Sequence, residues 1–417
     1  MSCAAKQGSV ALTVTIVRLS RRLRLGVGAL IIAALAMGLA APSAKAAPFE
    51  TCVKGLRTSA IKAGVSPDIV EAAFRDMTFD ERVLRFQRSQ PEYRLAIWDY
   101  MAFLVDEARI ADGRKMLEIE AKSLAAIEKA YGVDKYVLVA LWGVESDYGR
   151  LEGDFHLPRA LASLACEGKR AALFKAELFH ALKIVAAGDV KLQDFTGPWA
   201  GAFGHTQFMP STYRRLAVDF DRDGRKDTIN SIPDALASAA NYLKRSGWRP
   251  GQAWGFEVKV PASYKGPTGR TRKAAISAWA KRGIRRADGA ALPKAGSYGL
   301  IRPAGRGGPA FLVSRNFDAL YSYNAAESYA LAIAHLSDRL RGKGAFRTAW
   351  PTDDPGLSRA ERKRLQELLI ARGLYKGEAD GRMGPLTAAA IREAEKQAGM
   401  KPTGRPGARI LRVLAEN

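Results

Sequence analysis

The chain has 417 residues, 47% of them hydrophobic, which is enough for more than one folded core and excludes a wholly disordered chain. Its formal net charge is +23; Lys6, Arg18, Arg21, Arg22, Arg24 and Lys45 precede residue 47 with no acid among them, leaving +17 for the remainder. A surplus of that size favours an anionic partner such as a membrane surface or an acidic wall polymer, and no basic patch interleaved with aromatics points to nucleic acid.

The first 46 residues read as an export signal. A basic stretch precedes an apolar run from Leu25 to Ala41, and Ala44-Lys45-Ala46 supplies a small-x-small cleavage site. Cleavage is expected after Ala46; a retained membrane anchor and a start codon placed too far upstream are the two other readings. Cys52 lacks the small-residue context of a lipid-modified cysteine. Cys52 and Cys166 remain in the mature chain and, after export, are able to form one disulfide, with free buried thiols as the alternative. The four histidines are scattered, and no Cys/His spacing suggests zinc.

From Phe49 to about Ala130 the pattern is helical, punctuated by Pro67, Pro91 and Gly113. Ser66-Pro67 predicts a helix start, and a long amphipathic helix is predicted from Lys115 to Tyr131. Gly132 separates it from the most informative stretch, Tyr136 to Arg150. From Tyr136 to Val144 every residue is apolar, Ala or Gly, so a helix here must be buried, and Glu145 is the first charge after Lys135. A carboxylate where a buried helix runs out toward Gly149 is partly desolvated and suited to proton donation near neutral pH; the plainer alternative is a helix-end cap or ion pair.

Two further helices are expected between Leu151 and Gly188. Gly197 to Tyr213 then combines glycines and aromatics with Gln207 and Ser211, groups able to hydrogen-bond sugar hydroxyls, or else an ordinary loop into a helix. Asp219, Asp221 and Asp223, with Gly224 at the sharp turn and Asp227 beyond, follow the spacing of a calcium loop. Asn230 stands where a bidentate Glu is expected, so the site is weakened or takes Asp234 instead. The alternative is a polar turn whose acids are offset by Arg222, Arg225 and Lys226. A helix from Ile232, a Gly/Pro/Lys/Arg-rich lobe with strands near Phe256–Val260 and Phe311–Val313, and a helix after Tyr323-Asn324 follow. Residues 346–357 read as a linker, and 358–417 as a small three-helix unit, too marginal for an enzyme and better suited to binding.

Trp-Gly-Val-Glu145-Ser-x-Tyr-Gly, Gly-Ala-Phe-Gly-His-Thr-Gln207-Phe-Met-Pro-Ser211, the aspartate loop, and Tyr323-Asn324-x-x-x-Ser-Tyr329 together resemble the lytic murein transglycosylases of the B type, across roughly residues 49–342. The tail, with Ala-Asp-Gly-Arg-Met-Gly-Pro-Leu-Thr387, resembles the peptidoglycan-binding domain attached to many wall enzymes. The resemblance implies a mainly α (α+β) chain: signal peptide 1–46, lysozyme-like catalytic domain 47–345 with a small β lobe, linker 346–357, and peptidoglycan-binding domain 358–417. It implies a soluble, monomeric periplasmic lyase that acts on peptidoglycan and touches the membrane only through an uncleaved signal. No cofactor is required, and calcium, if bound, is structural. By the same resemblance Glu145 is the sole acid and base, Gln207, Ser211, Tyr323, Asn324, Tyr329 and Tyr100 line the cleft, and Arg170 meets the stem peptide. Pro198 departs from the pattern, since some relatives carry there a Ser able to bond near the catalytic Glu. A hydrolytic muramidase on the same fold and a non-catalytic wall-binding scaffold are the other readings.

Overall fold

The computed structural model describes residues 49–88 and 95–416, and the signal-segment expectation lies outside them. Helices α1 (Phe49–Lys62), α2 (Pro67–Phe74), α3 (Glu81–Arg88), α4 (Ile97–Leu104), α5 (Glu107–Ile119), α6 (Ala121–Tyr131) and α7 (Lys135–Ser146) lead into strand β1 (Phe155–His156). Helices α8 (Leu157–Glu167) and α9 (Ala171–Ala186), strand β2 (Thr196–Gly197), and helices α10 (Pro210–Leu216) and α11 (Ile232–Arg245) follow. Next comes a lobe of β3 (Gly255–Lys259), β4 (Ala274–Ala275), α12 (Ile276–Lys281), β5 (Arg285–Arg286), β6 (Ser297–Ile301) and β7 (Ala310–Val313). Helices α13 (Arg315–Asn324) and α14 (Glu327–Leu340) return to the body, and α15 (Arg359–Ala371), α16 (Pro385–Gln397) and α17 (Ala408–Glu416) form the tail.

Four apolar cores organise these elements. Helices α1–α3 pack with α8–α10 around Phe174, Leu178 and Phe203. Helices α5–α7, α11, α13 and α14 enclose a second core around Trp142, Leu236 and Leu331, into which α4 also packs. The β lobe is an antiparallel sheet of order β4-β6-β7-β3-β5, with Gly255 opposite Val313 and Leu300 opposite Leu312, closed over Trp279 and Val258. The tail has its own core of Leu365, Leu369, Ile391 and Leu414.

The predicted helix from Lys115 to Tyr131 is divided at Glu120, which ends α5 and starts α6. Gly113, read as punctuation, lies inside α5. A Cβ there or at Gly143 of α7 would run into the Tyr148 ring, so both glycines serve close packing rather than helix breaking. Ser66 is the N-cap and Pro67 the first residue of α2, as predicted, although the serine hydroxyl makes no cap bond. Residues 346–357 are laid onto the body. Phe346 stacks on His335 at 3.8 Å, the backbone N–H groups of Arg347 and Thr348 donate to the Glu257 carboxylate, and Pro351 abuts Gly308. Among the described residues no helix is long and apolar enough to cross a membrane.

Candidate active site

Helix α7 begins at Asp134, whose side chain accepts from the Tyr136 N–H at 2.9 Å, and is buried along almost its whole length. Its apolar surface packs against α5, α6, α11 and α14, leaving Glu145 half-buried near the C-terminal end. The Tyr329 hydroxyl, from α14, donates to Glu145 Oε1. This is a side-chain partner for the position where the Pro198 departure left the hydrogen bonding open. Tyr329 is 2% exposed and stacks on Tyr323 of α13, with ring centroids 6.3 Å apart. Burial and then the charge of Glu145 push both phenols well above their ordinary range, so they remain donors throughout physiological pH. Tyr100 is half-buried on the same core and close enough to Tyr329 to contribute to its raised pKa.

The Tyr323 hydroxyl donates to the Thr206 carbonyl at 2.6 Å and so joins this cluster to the Gly204–Gln207 turn. That turn is closed by a bridge between Phe203 and Phe208, and Gln207 adopts a left-handed backbone with its amide donating to the Gly204 carbonyl at 2.8 Å. The same loop is fixed to α7, because the Ser146 hydroxyl donates to the His205 carbonyl at 2.7 Å and the Trp142 indole lies 3.3 Å from His205 Nδ1. Glu145, Tyr329, Tyr323, Gln207 and Tyr100 are therefore brought together.

The other expected site residues are placed differently. Asn324 is exposed at the end of α13. Arg170 is exposed at the start of α9, its guanidinium over the Phe174 ring. Ser211 is committed to Glu177: its N–H donates at 2.8 Å and its hydroxyl at 2.7 Å, so the pair caps α10 instead of offering a free hydroxyl to sugar. Cys52 on α1 and Cys166 on α8 are joined in a disulfide.

Two arrangements escaped the sequence reading. Asp147, two residues beyond Glu145, is 6% exposed and held by Arg109 at 3.3 Å, Arg150 at 3.0 Å and Arg359 at 2.6 Å. Burial pushes its carboxyl up, but the Arg150 and Arg359 bonds and the Arg109 charge outweigh this and leave it below the usual range. Arg150 is only three residues on, but Arg109 and Arg359 are 38 and 212 residues away, so no local motif announces the cluster. The second is Glu177 itself, which reads in sequence as an ordinary helix-surface acid.

In the aspartate loop, carboxylate oxygens of Asp219, Asp221 and Asp223 lie within 4.8 Å of one another. Asp219 Oδ2 accepts from the Gly224 N–H, while its Oδ1 is buried without a protein partner among the described residues, as a metal ligand would be. Asp227 departs from its expected place. Its carboxylate accepts from the Ile229 and Asn230 N–H groups and from the Asn230 amide, so it stabilises the turn before α11 and is outside the acidic cluster. Asp234, the suggested substitute ligand, is fully buried and takes the N–H groups of Phe220, Asp221 and Asp227 instead.

Residues 48–338 match the family described as "Transglycosylase SLT domain". The chain belongs to that family. Residues 358–414 match the "Putative peptidoglycan binding domain". Among solved structures, SltB3 from Pseudomonas aeruginosa, in complex with NAG-anhNAM-pentapeptide, is 40% identical with a TM-score of 0.71, covering 88% of this chain and 99% of that one. The Escherichia coli lytic transglycosylase SLT35, in complex with calcium, is 26% identical with a TM-score of 0.61, covering 70% and 92%. The membrane-bound lytic murein transglycosylase B of Escherichia coli K12 is 33% identical over 213 residues, half of this chain and 57% of that relative's length. The mainly helical, lysozyme-like organisation with a small sheet is thus common to the transglycosylase domain and its solved relatives.

Proposed function

We propose that the chain is an exported lyase of peptidoglycan that cleaves the β-1,4 bond between N-acetylmuramic acid and N-acetylglucosamine without water. Glu145 in its carboxylic acid form protonates the departing glycosidic oxygen as the C1–O4 bond breaks. The resulting carboxylate then takes the proton of the muramyl C6 hydroxyl as O6 bonds to C1, giving a 1,6-anhydro end and restoring the acid. The attacking hydroxyl is already tethered to the reacting sugar, which favours it over solvent. The observation carrying this reading is the setting of Glu145: a half-buried position at a helix end, bonded to Tyr329, with Asp147 committed to three arginines and unable to act as the second carboxylate of a hydrolase pair. Gln207, Tyr323 and Tyr100 flank the scissile sugars in this account, and the domain at 358–414 holds the enzyme on the wall.

Mass spectrometry of muropeptides released from purified sacculi tests it. Products lighter by one water than reducing muropeptides are expected. Reducing ends would move the chain to hydrolysis, and tight binding without release would make it a wall-binding scaffold.

The loop acids fit calcium, with Asp219, Asp221 and Asp223 as ligands, and a relative has been solved with that ion. Its role here is structural, cross-linking the loop between α10 and α11, and the acid–base chemistry draws on no cofactor. Saturating calcium over a chelated sample is expected to raise the melting temperature by several degrees, following about 3 kcal/mol at a hundredfold excess over Kd. Superimposable melting curves would remove calcium from the loop.

A further inference from the structure

Helix α7 ends in three successive left-handed residues, Asp147 at φ 52°, Tyr148 at φ 60° and Gly149 at φ 85°. Two of them carry side chains, each at a cost of about 1–2 kcal/mol, so the turn directly after Glu145 must be held from outside. Ser146 Oγ accepts from the Gly149 N–H at 3.0 Å, and the Tyr148 hydroxyl donates to the Arg109 carbonyl at 2.9 Å. The Asp147 carboxylate supplies the third restraint through its arginines, and the shortest of those contacts comes from Arg359, in the C-terminal domain.

From these contacts we infer that Arg359 is a positioning residue for Glu145, acting through Asp147 across the domain boundary. Its backbone N–H also donates at 3.0 Å to Asp106, whose other carboxylate oxygen caps α5 at Arg109. One residue of the tail therefore clasps both the end of the Glu145 helix and the start of the helix beside it. The surrounding interface keeps Arg359 in place. Arg405 grips Asp99 at 2.5 and 2.8 Å and also meets Asp354, Arg362 lies 4.3 Å over the Phe103 ring, and Gly356 sits so close to Asp99 that a side chain there would collide. The tail is thus part of the framework of the cleft as well as an attachment to the wall. Without Arg359, the buried Asp147 keeps less counter-charge and the strained turn loses its restraint on one side, so the Glu145 carboxyl is held less firmly against the glycosidic oxygen.

This inference rests on Glu145 acting as acid and base, and its test separates the two. In the full-length mature protein, Arg359→Ala, Arg359→Lys and Glu145→Gln are compared on a soluble glycan of two disaccharide repeats, with melting curves for each. Arg359→Ala is expected to lower kcat about tenfold while KM changes less than about twofold, the size a small misplacement of a reacting group produces. Arg359→Lys, which restores the charge, should recover most of that loss. Wild-type kcat in Arg359→Ala beside an inactive Glu145→Gln would overturn the positioning role alone, as would a loss that Arg359→Lys fails to rescue or a change confined to KM. Activity persisting in Glu145→Gln would remove the acid–base assignment and this inference with it.

Discussion

Glu145→Gln is expected to lower turnover on sacculi by at least about a thousandfold, or roughly 4 kcal/mol of transition-state stabilisation, while leaving the fold and wall binding intact. One side chain serves both half-reactions, so the substitution removes the proton donor of the first step and the acceptor of the second. The glutamine is isosteric, and its amide oxygen still accepts the Tyr329 hydroxyl that Glu145 Oε1 now accepts. Asp147 cannot take over, because each of its oxygens is engaged by arginine. The check is release of soluble muropeptides beside a pull-down on sacculi. Residual turnover of a tenth or more would mean that another group carries the proton.

The disulfide carries the largest expected effect on stability. Cys52 and Cys166 are separated by 114 residues, with Cα atoms 5.8 Å apart, so the bond closes a long loop of the unfolded chain. Loop entropy alone allows about 4–5 kcal/mol, and real proteins lose about 2–5 kcal/mol when such a bond is removed. For a body of this size that corresponds to roughly 3–8 °C in melting temperature. Paired Cys52→Ser and Cys166→Ser substitutions, or thermal melts with and without reductant, measure it. Identical melts would show that helix α1 is held fully by Val53 and Leu56 in the apolar core.

The local features of the fold were legible where they depend on near neighbours. The apolar run before Glu145 announced a buried helix, and the starts of α2 and α11 were marked by Ser66-Pro67 and Ile232-Pro233. The strands at Phe256 and Phe311 showed in alternation or in an apolar run, but β4–β6 are short or rich in glycine and charge, and only pairing with neighbours makes them strands. Gly113 misled because glycine in a helix usually weakens it, whereas here its missing Cβ admits an aromatic ring from a residue 35 positions on. At the site, Glu145, Gln207, Tyr323 and Tyr329 stood out as motifs. Ser211 looked equally available, and only the tertiary position of Glu177 shows its hydroxyl to be occupied. Asp227 matched a ligand position by count, yet the backbone of Ile229 and Asn230 competes for the same oxygens. Of the arginines around Asp147 only Arg150 is a near neighbour; Arg109 and Arg359 are distant, and long-range ion pairs leave no periodic trace.

The two ends of the β lobe lie side by side. Gly255 pairs with Val313, and the Ser314 N–H donates to the Trp254 carbonyl at 2.8 Å. Beyond this closure the lobe has a separate apolar core, while Trp254 itself belongs to the core of the catalytic helices. The chain therefore enters and leaves the lobe at one point, and the root of the sheet is shared with the body: Ile301, Phe311 and Val313 pack in the core of the catalytic helices, and Arg270 and Lys273 pair with Asp318 of α13. The lobe is thereby tied to α13, the helix that ends in Tyr323 and Asn324.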